Sequence, residues 1–208
     1  MKRFKMVYAL VAALSMLAIL ATGASAHEWL EAGKKITVAT ETTAKPTLRF
    51  ENKLWGYAIE CPLNEKGTVG PGAKDEITSI LSSTGEKNIT CTIPQHSGYC
   101  SEKAKIEAKA LPWAFELQTV EGQERNVLLK THEWKIECTG PLTNFTDWCE
   151  VTQSVALENW YEFVKEIFES GEKYPETYCF DTNNEGRSFE TRGAVKLYLA
   201  SKKRLEYN

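Results

Sequence analysis

The sequence predicts an all-β fold, a single antiparallel β-sandwich-like domain held together by disulfides. Turn-forming residues punctuate the chain at short intervals, and β-branched and aromatic residues alternate with polar ones between them. A period of two is typical of strands that bury one face. Six cysteines follow an apparent export signal, which adds the expectation of three covalent cross-links.

The N-terminus predicts a signal peptide at residues 1–26. Three basic residues precede an uncharged apolar run at 6–20, and Ala-Ser-Ala at 24–26 is a small-residue cleavage pattern. The run is shorter than the ~20 residues that a membrane-spanning helix needs. We therefore expect a mature chain of residues 27–208 that forms one secreted, extracellular domain without a transmembrane segment.

The charge of the mature chain argues against a nucleic-acid partner. Removing the leader takes the formal net charge from −3 to −6, because three basic residues leave and no acidic ones do. Nucleic-acid binding normally needs a basic stripe. The only basic cluster along the sequence is Lys202-Lys203-Arg204 at the C-terminus, and we expect it to be a solvated tail.

The first half of the mature chain contains several short alternating runs. We predict strands at 34–41, 46–52 and 54–61. In the third run Trp55, Tyr57 and Ile59 share one face at the strand period. Residues 64–80 are predicted to be a Gly/Pro-rich loop that leads into another short run, because glycine and proline favour turns.

The second half predicts a meander and a long final strand. The meander comprises runs at 112–120, 126–131 and 133–138, with a turn in the first gap. The final run at 188–201 places Phe189, Thr191, Val195, Leu197 and Leu199 on one side.

Residues 155–168 carry two periodicities. Apolar residues recur there at three- and four-residue steps, which predicts a short amphipathic helix. Alternation at 155–157 and 161–163 instead fits two strands broken near Asn159. Periodicity alone leaves both interpretations open.

Three stretches carry a resemblance to a known group of proteins: SAHEWL at the leader junction, GTVGPGAKDEITSI at 67–80 and LPW at 111–113. The chain resembles a family of uncharacterised secreted proteins of actinobacteria. The resemblance implies a bacterial, secreted, β-rich and disulfide-bearing domain. It favours strands over a helix at 155–168, because the matching region of the relatives reads as strands. It implies no function.

The six cysteines are expected to form three disulfides. Two pairs flank turn-rich segments, which predicts the bridges Cys91–Cys100 and Cys138–Cys149 and leaves Cys61–Cys179 as a long-range bridge. A zinc site is disfavoured, because the sequence has no C-x-x-C and no closely spaced pair of histidines.

The sequence shows no catalytic motif. It lacks the G-x-S-x-G nucleophile elbow. The GTVGPGAK stretch at 67–74 lacks the Gly-Lys-Ser/Thr that a phosphate-binding loop requires. We therefore predict no catalytic residues and no cofactor.

One alternative function depends on His27, the first residue after the predicted cleavage site. Its terminal amine and imidazole, with a second imidazole, would give the tetragonal nitrogen donor set that suits Cu(II). His132 is the preferred second ligand and His96 the next. The alternative is therefore a copper-binding or copper-dependent redox protein.

The main expectation is a secreted binding or interaction module without enzymatic activity. Four of the six tryptophans are expected in the core: Trp29, Trp55, Trp113 and Trp134. Trp148 and Trp160 lie near predicted turns and are candidates for an exposed binding surface, with a cell-wall glycan or a protein as partner.

Overall fold

The fold is built entirely from strands. The computed structural model describes residues 27–130, 132–151, 154–168, 177–181 and 186–208. The predicted signal peptide at 1–26 lies outside them. Every helix-or-strand element in the described ranges is a strand, which confirms the all-β prediction. Those ranges contain no helix that is long and apolar enough to cross a membrane.

Eighteen strands follow one another along the described residues. They are β1 (Trp29–Glu31), β2 (Lys34–Lys35), β3 (Thr40–Ala44), β4 (Thr47–Asn52), β5 (Tyr57–Pro62), β6 (Asn64–Val69), β7 (Lys74–Leu81), β8 (Ile89–Gln95), β9 (Lys103–Lys109), β10 (Trp113–Val120), β11 (Gln123–Leu128), β12 (His132–Thr139), β13 (Asn144–Val151), β14 (Val155–Asn159), β15 (Val164–Phe168), β16 (Thr177–Asp181), β17 (Gly186–Leu199) and β18 (Leu205–Tyr207).

Strands β3 to β17 form an up-and-down antiparallel meander in two halves. The upper half contains β3, β6, β7, β10, β11, β14, β15 and the C-terminal part of β17. The lower half contains β4, β5, β8, β9, β12, β13, β16 and the N-terminal part of β17. The chain passes from one half to the other after nearly every hairpin.

Each half returns to its starting strand, so the predicted sandwich is wrong. The upper half closes into an eight-strand barrel when β17 pairs with both β3 and β15. The lower half closes in the same way, because β17 also pairs with β4 and β16. β3 and β4 pair with β17 in one continuous register, from Leu199 opposite Thr42 to Glu190 opposite Glu51. Closure pairs both edges of each half, so neither half presents a sheet edge along its described strands.

Inward-facing side chains fill the barrel. Fully or nearly fully buried residues include Phe50, Tyr57, Ile59 and Ile136 in the lower half and Val69, Leu117, Val164, Val195, Leu197 and Leu199 in the upper half. Trp113 and Trp134 are buried and meet edge to face at 5.0 Å, as expected of core aromatics. The predicted inward face of the last strand is confirmed for its described side chains; that of Phe189 lies outside them.

A small sheet covers the upper end of the barrel. β1 pairs with both β2 and β18, so the two ends of the described chain are adjacent. Trp29 and Leu205 of this sheet are fully buried and join the core. Trp55, the fourth tryptophan predicted in the core, precedes β5 in a turn and is only half buried, stacked on Tyr99 at 4.5 Å.

Two local predictions are settled by strand pairing. Residues 155–168 form β14 and β15, so the strand interpretation is confirmed and the short helix is wrong. Of the predicted loop at 64–80, only residues 70–73 form the turn, because β6 and β7 pair on either side of it. Gly67 is required within β6, since a Cβ there would lie 2.2 Å from the carbonyl oxygen of Glu76.

All six cysteines are bridged, but the predicted pairing is wrong. The bridges are Cys61–Cys91, Cys100–Cys138 and Cys149–Cys179, with Cα atoms 4.4, 5.3 and 3.9 Å apart. Cross-strand register is the reason. Cys138 lies opposite Phe145, four residues along β13 from Cys149, which puts Cys149 ~13 Å away along the strand. Cys149 instead lies directly opposite Cys179.

Candidate functional site

The outer wall of the upper half carries a row of three aromatic side chains. Trp160 lies in the turn between β14 and β15, where its backbone N–H donates to the carbonyl of Phe163 at 2.9 Å. Their rings are nearly parallel, with centroids 5.8 Å apart, and the Phe163 ring lies 5.2 Å from that of Tyr198 on β17. Phe163 and Tyr198 point outward, because the adjacent Val164 and Leu197 pair opposite each other and are buried.

A row of lysines lies beside the aromatic row, two residues further along the same strands. Lys165 of β15 and Lys196 of β17 are directly opposite each other. The Lys165 ammonium lies 5.8 Å from the centre of the Trp160 ring, and the Lys196 ammonium 5.2 Å from that of Phe163. Lys45, just after β3, is exposed beyond Lys196. We call Trp160, Phe163, Tyr198, Lys45, Lys165 and Lys196 the aromatic–lysine face.

The face opens into a groove where the barrel wall is interrupted. β17 pairs with β3 at residues 198–199 and with β4 at 190–192, but not between them. Pro46 lies opposite this gap and has no N–H to donate to a ladder. The groove has a volume of about 440 Å³, and its lining includes Lys45, Lys196 and Tyr198.

One carboxylate orders the edge of the face. Glu158 accepts hydrogen bonds from the Trp160 indole N–H at 3.3 Å and from the Lys165 ammonium at 3.1 Å. These bonds, that of Lys165 first, hold the pKa of Glu158 below its usual value. Glu158 therefore stays ionised and keeps Trp160 and Lys165 side by side.

The other predicted binding aromatic, Trp148, lies on the outer wall of the lower half. It is 37% exposed, compared with 51% for Trp160. The ammonium groups of Lys109 and Lys135 each lie 5.9 Å from its ring centre. Both lysines also pair with carboxylates, those of Glu107 and Glu137. Among the described side chains, no second aromatic ring stacks on Trp148.

The structure does not bring the candidate copper ligands together. The ring nitrogens of His27 lie 2.9 Å from a Glu124 carboxylate oxygen and 3.1 Å from the Thr119 hydroxyl, at the far end of the β10–β11 hairpin. His132 is buried in the core, stacked on Trp113 at 4.4 Å. His96 lies exposed in the loop before β9. Within the described ranges, no three His, Cys, Asp or Glu side chains are placed to hold a metal.

The barrel interior contains polar groups that no sequence pattern indicated. Asn126 donates to Asp75 at 2.5 Å and to Glu166 at 3.1 Å, and all three are buried. Burial raises the pKa of Asp75 to about 7 and that of Glu166 well above its usual value. Burial and the charge of Asp75 raise the pKa of Glu65 to about 8. These carboxyls favour their protonated forms.

A small cavity adjoins this cluster. Its volume is about 40 Å³, and Glu65, His132 and Thr191 are the polar side chains in its otherwise apolar lining. Burial lowers the pKa of His132 to about 3, so its ring is neutral. The cavity is too small for a sugar ring or a cofactor. The barrel interior is therefore a packed core.

Sequence reasoning found one residue of the aromatic–lysine face, Trp160, and missed the others. The three lysines are separated along the chain, so the sequence does not show them as a group. That C-terminal cluster is partly neutralised, with Lys203 paired to Glu31 and Arg204 to Glu206.

The fold and this face define a class of protein: a disulfide-bonded, closed up-and-down β-barrel with aromatic and lysine side chains on its outer wall. Comparison with known proteins found no protein-family model that matches the chain, no similar curated protein and no similar solved structure. Its function has to be argued from its own side chains.

Proposed function

We propose that the protein is a secreted binding module without enzymatic activity that holds a glycan on the aromatic–lysine face. The observation that carries this proposal is the row of aromatic rings of Trp160, Phe163 and Tyr198 on the outside of the barrel. None of the three belongs to the buried core. Trp160 is exposed, and Phe163 and Tyr198 are half buried. Aligned rings that reach the surface offer apolar faces on which sugar rings can stack.

The position of the row suits recognition of a polymer. Tyr198 projects from β17, and Phe163 immediately precedes β15. The barrel therefore holds Tyr198 rigidly, and the hydrogen bond from the Trp160 N–H to its carbonyl helps to hold Phe163. Tyr161, at the tip of the β14–β15 turn, is 83% exposed and adds a further ring at the rim. A chain of sugars could therefore contact several rings at once.

The disulfides support a location outside the cytoplasm. All six cysteines are paired, and structural disulfides are typical of proteins that mature in an oxidising compartment. Together with the predicted leader at 1–26, this supports secretion. A module on the cell surface or in the medium would meet glycans there.

The proposal predicts that Trp160→Ala weakens glycan binding and that Trp148→Ala does not. Loss of the Trp160 ring should lower the affinity for the glycan at least about tenfold, as expected for an exposed aromatic anchor. The measurement is affinity electrophoresis through gels that contain polygalacturonate or its methyl ester. These two polysaccharides share the same ring and linkage.

Trp148→Ala is the matched control, because it removes an exposed, lysine-flanked tryptophan from the other half. Far-ultraviolet circular dichroism and the melting temperature show whether each variant folds. If neither polysaccharide retards the folded wild type, or if Trp148→Ala has the larger effect, the proposal is wrong.

A further inference from the structure

Two lysines of the aromatic–lysine face are placed where their like charges destabilise the sheet. Lys165 and Lys196 are directly opposite each other on an exposed face, where like charges destabilise a sheet. Lys165 is paired with Glu158, but neither Lys45 nor Lys196 has a carboxylate partner among the described residues.

The lysine row is adjacent to two of the three rings of the aromatic row. Each ring of Trp160 and Phe163 has a lysine ammonium within 6 Å of its centre, at 5.8 and 5.2 Å. A sugar unit that stacks on one of these two rings therefore has a lysine ammonium group beside it. The repeating unit that fits must carry a ring face and a negative group together.

The groove extends the lysine row beyond the rings. Lys45 and Lys196 both line it, and the interrupted ladder leaves a volume of about 440 Å³ between them and Tyr198. A polymer lying along the aromatic row could place a further unit there. The positive charge therefore covers a path of several units rather than one point.

We infer that the ligand of the aromatic–lysine face is an acidic glycan of the polyuronate type, with a carboxylate on the same sugar unit whose ring stacks. This inference rests on the proposed function and adds the chemical class of the ligand. A polymer of phosphates joined by open-chain alcohols offers charge without ring faces. A neutral glycan offers ring faces without charge.

A single-stranded nucleic acid also combines rings with charge, but the surroundings of the face disfavour it. Nucleic-acid surfaces are rich in arginine and strongly basic overall. The face itself contains no arginine, and Arg192, further along β17, is paired with Glu190.

The test compares polygalacturonate with its methyl ester, on which the carboxylates are neutralised. We expect the wild type to bind polygalacturonate about tenfold more tightly, with an advantage that shrinks as salt is added. The double variant Lys45→Gln/Lys196→Gln should lose that advantage and keep its affinity for the ester. The control Lys109→Gln/Lys135→Gln, beside Trp148, should behave as the wild type.

The outcomes separate this inference from the proposed function. Equal binding of both polysaccharides, sensitive to Trp160→Ala, would overturn the acidic ligand and leave the glycan-binding function standing. Retardation by neither would remove both. Tighter binding of single-stranded DNA than of polygalacturonate, lost in Lys45→Gln/Lys196→Gln, would replace the glycan with a nucleic acid.

Discussion

Glu65, Asp75 and Glu166 show how a barrel interior tolerates acidic side chains. Each is buried, and Asn126 donates a hydrogen bond to two of them. Ionising all three carboxyls in so small a volume would cost far more free energy than the hydrogen bonds of the single Asn126 amide contribute. The carboxyls therefore remain protonated at a pH where exposed acids are ionised, which is why the pKa of Glu65 rises to about 8 and that of Asp75 to about 7.

This arrangement predicts a loss of stability with rising pH. Above pH 6.5 the unfolded chain has released these protons, while the folded state still holds them until its raised pKa values are reached. His132 is neutral in the folded state, because burial lowers its folded pKa to about 3. Its unfolded ring is half protonated at pH 6.5 and opposes the trend by only about 0.4 kcal/mol. The free energy of unfolding should fall between pH 6.5 and 8 by about 2 kcal/mol for each proton that the folded state keeps over this range.

Glu65→Gln should flatten this dependence, because glutamine has no proton to release. Urea unfolding at pH 6.5 and pH 8 measures it, with the exposed Glu102→Gln as control. An unchanged slope in Glu65→Gln would contradict the assignment of a protonated, buried Glu65.

At the scale of strands, the covalent bonds are distributed unevenly. All three disulfides join strands or loops of the lower half, whereas the buried carboxyl cluster lies in the upper half. The bridge Cys149–Cys179 connects β13 to β16, which share only four residue pairs. We infer that this bridge holds the short strand β16 in the closed sheet of the lower half.

Replacing Cys149 and Cys179 by serine should lower the free energy of unfolding by about 2–4 kcal/mol. Amide hydrogen exchange should accelerate first in β13 and β16, while β10 and β11 of the upper half serve as the internal reference. Uniform acceleration in both halves, with no lead in β13 and β16, would contradict the local role of the bridge.

Sequence patterns predicted those strands in which alternation is strict. The runs at 112–120 and 133–138 became β10 and β12 nearly as expected, because their inward residues are large and apolar. The strand β6 escaped prediction, since its inward positions are Glu65, Gly67 and Val69, a set without a hydrophobic pattern. Disulfide pairing escaped too, because it depends on which residues lie opposite each other across neighbouring strands.

At the scale of the whole molecule, sequence periodicity could not predict that the sheet closes into a barrel. A sandwich strand and a barrel strand both alternate, and the decisive pairings join β17 to β3 and β4 at the other end of the chain. The aromatic–lysine face depends on the same pairings. Trp160 stood out as a turn tryptophan, whereas Tyr198, Lys45 and Lys196 join it only when the barrel closes.

The proposal that the aromatic–lysine face binds a glycan is tested most directly by nuclear magnetic resonance of the indole N–H groups. The chain has six tryptophans, and each gives its own signal. Titration with short polygalacturonate oligomers should shift the Trp160 signal progressively and leave those of Trp148 and the buried Trp29, Trp113 and Trp134 in place. A shift confined to Trp148, or no shift of Trp160 at saturating oligomer, would contradict the account.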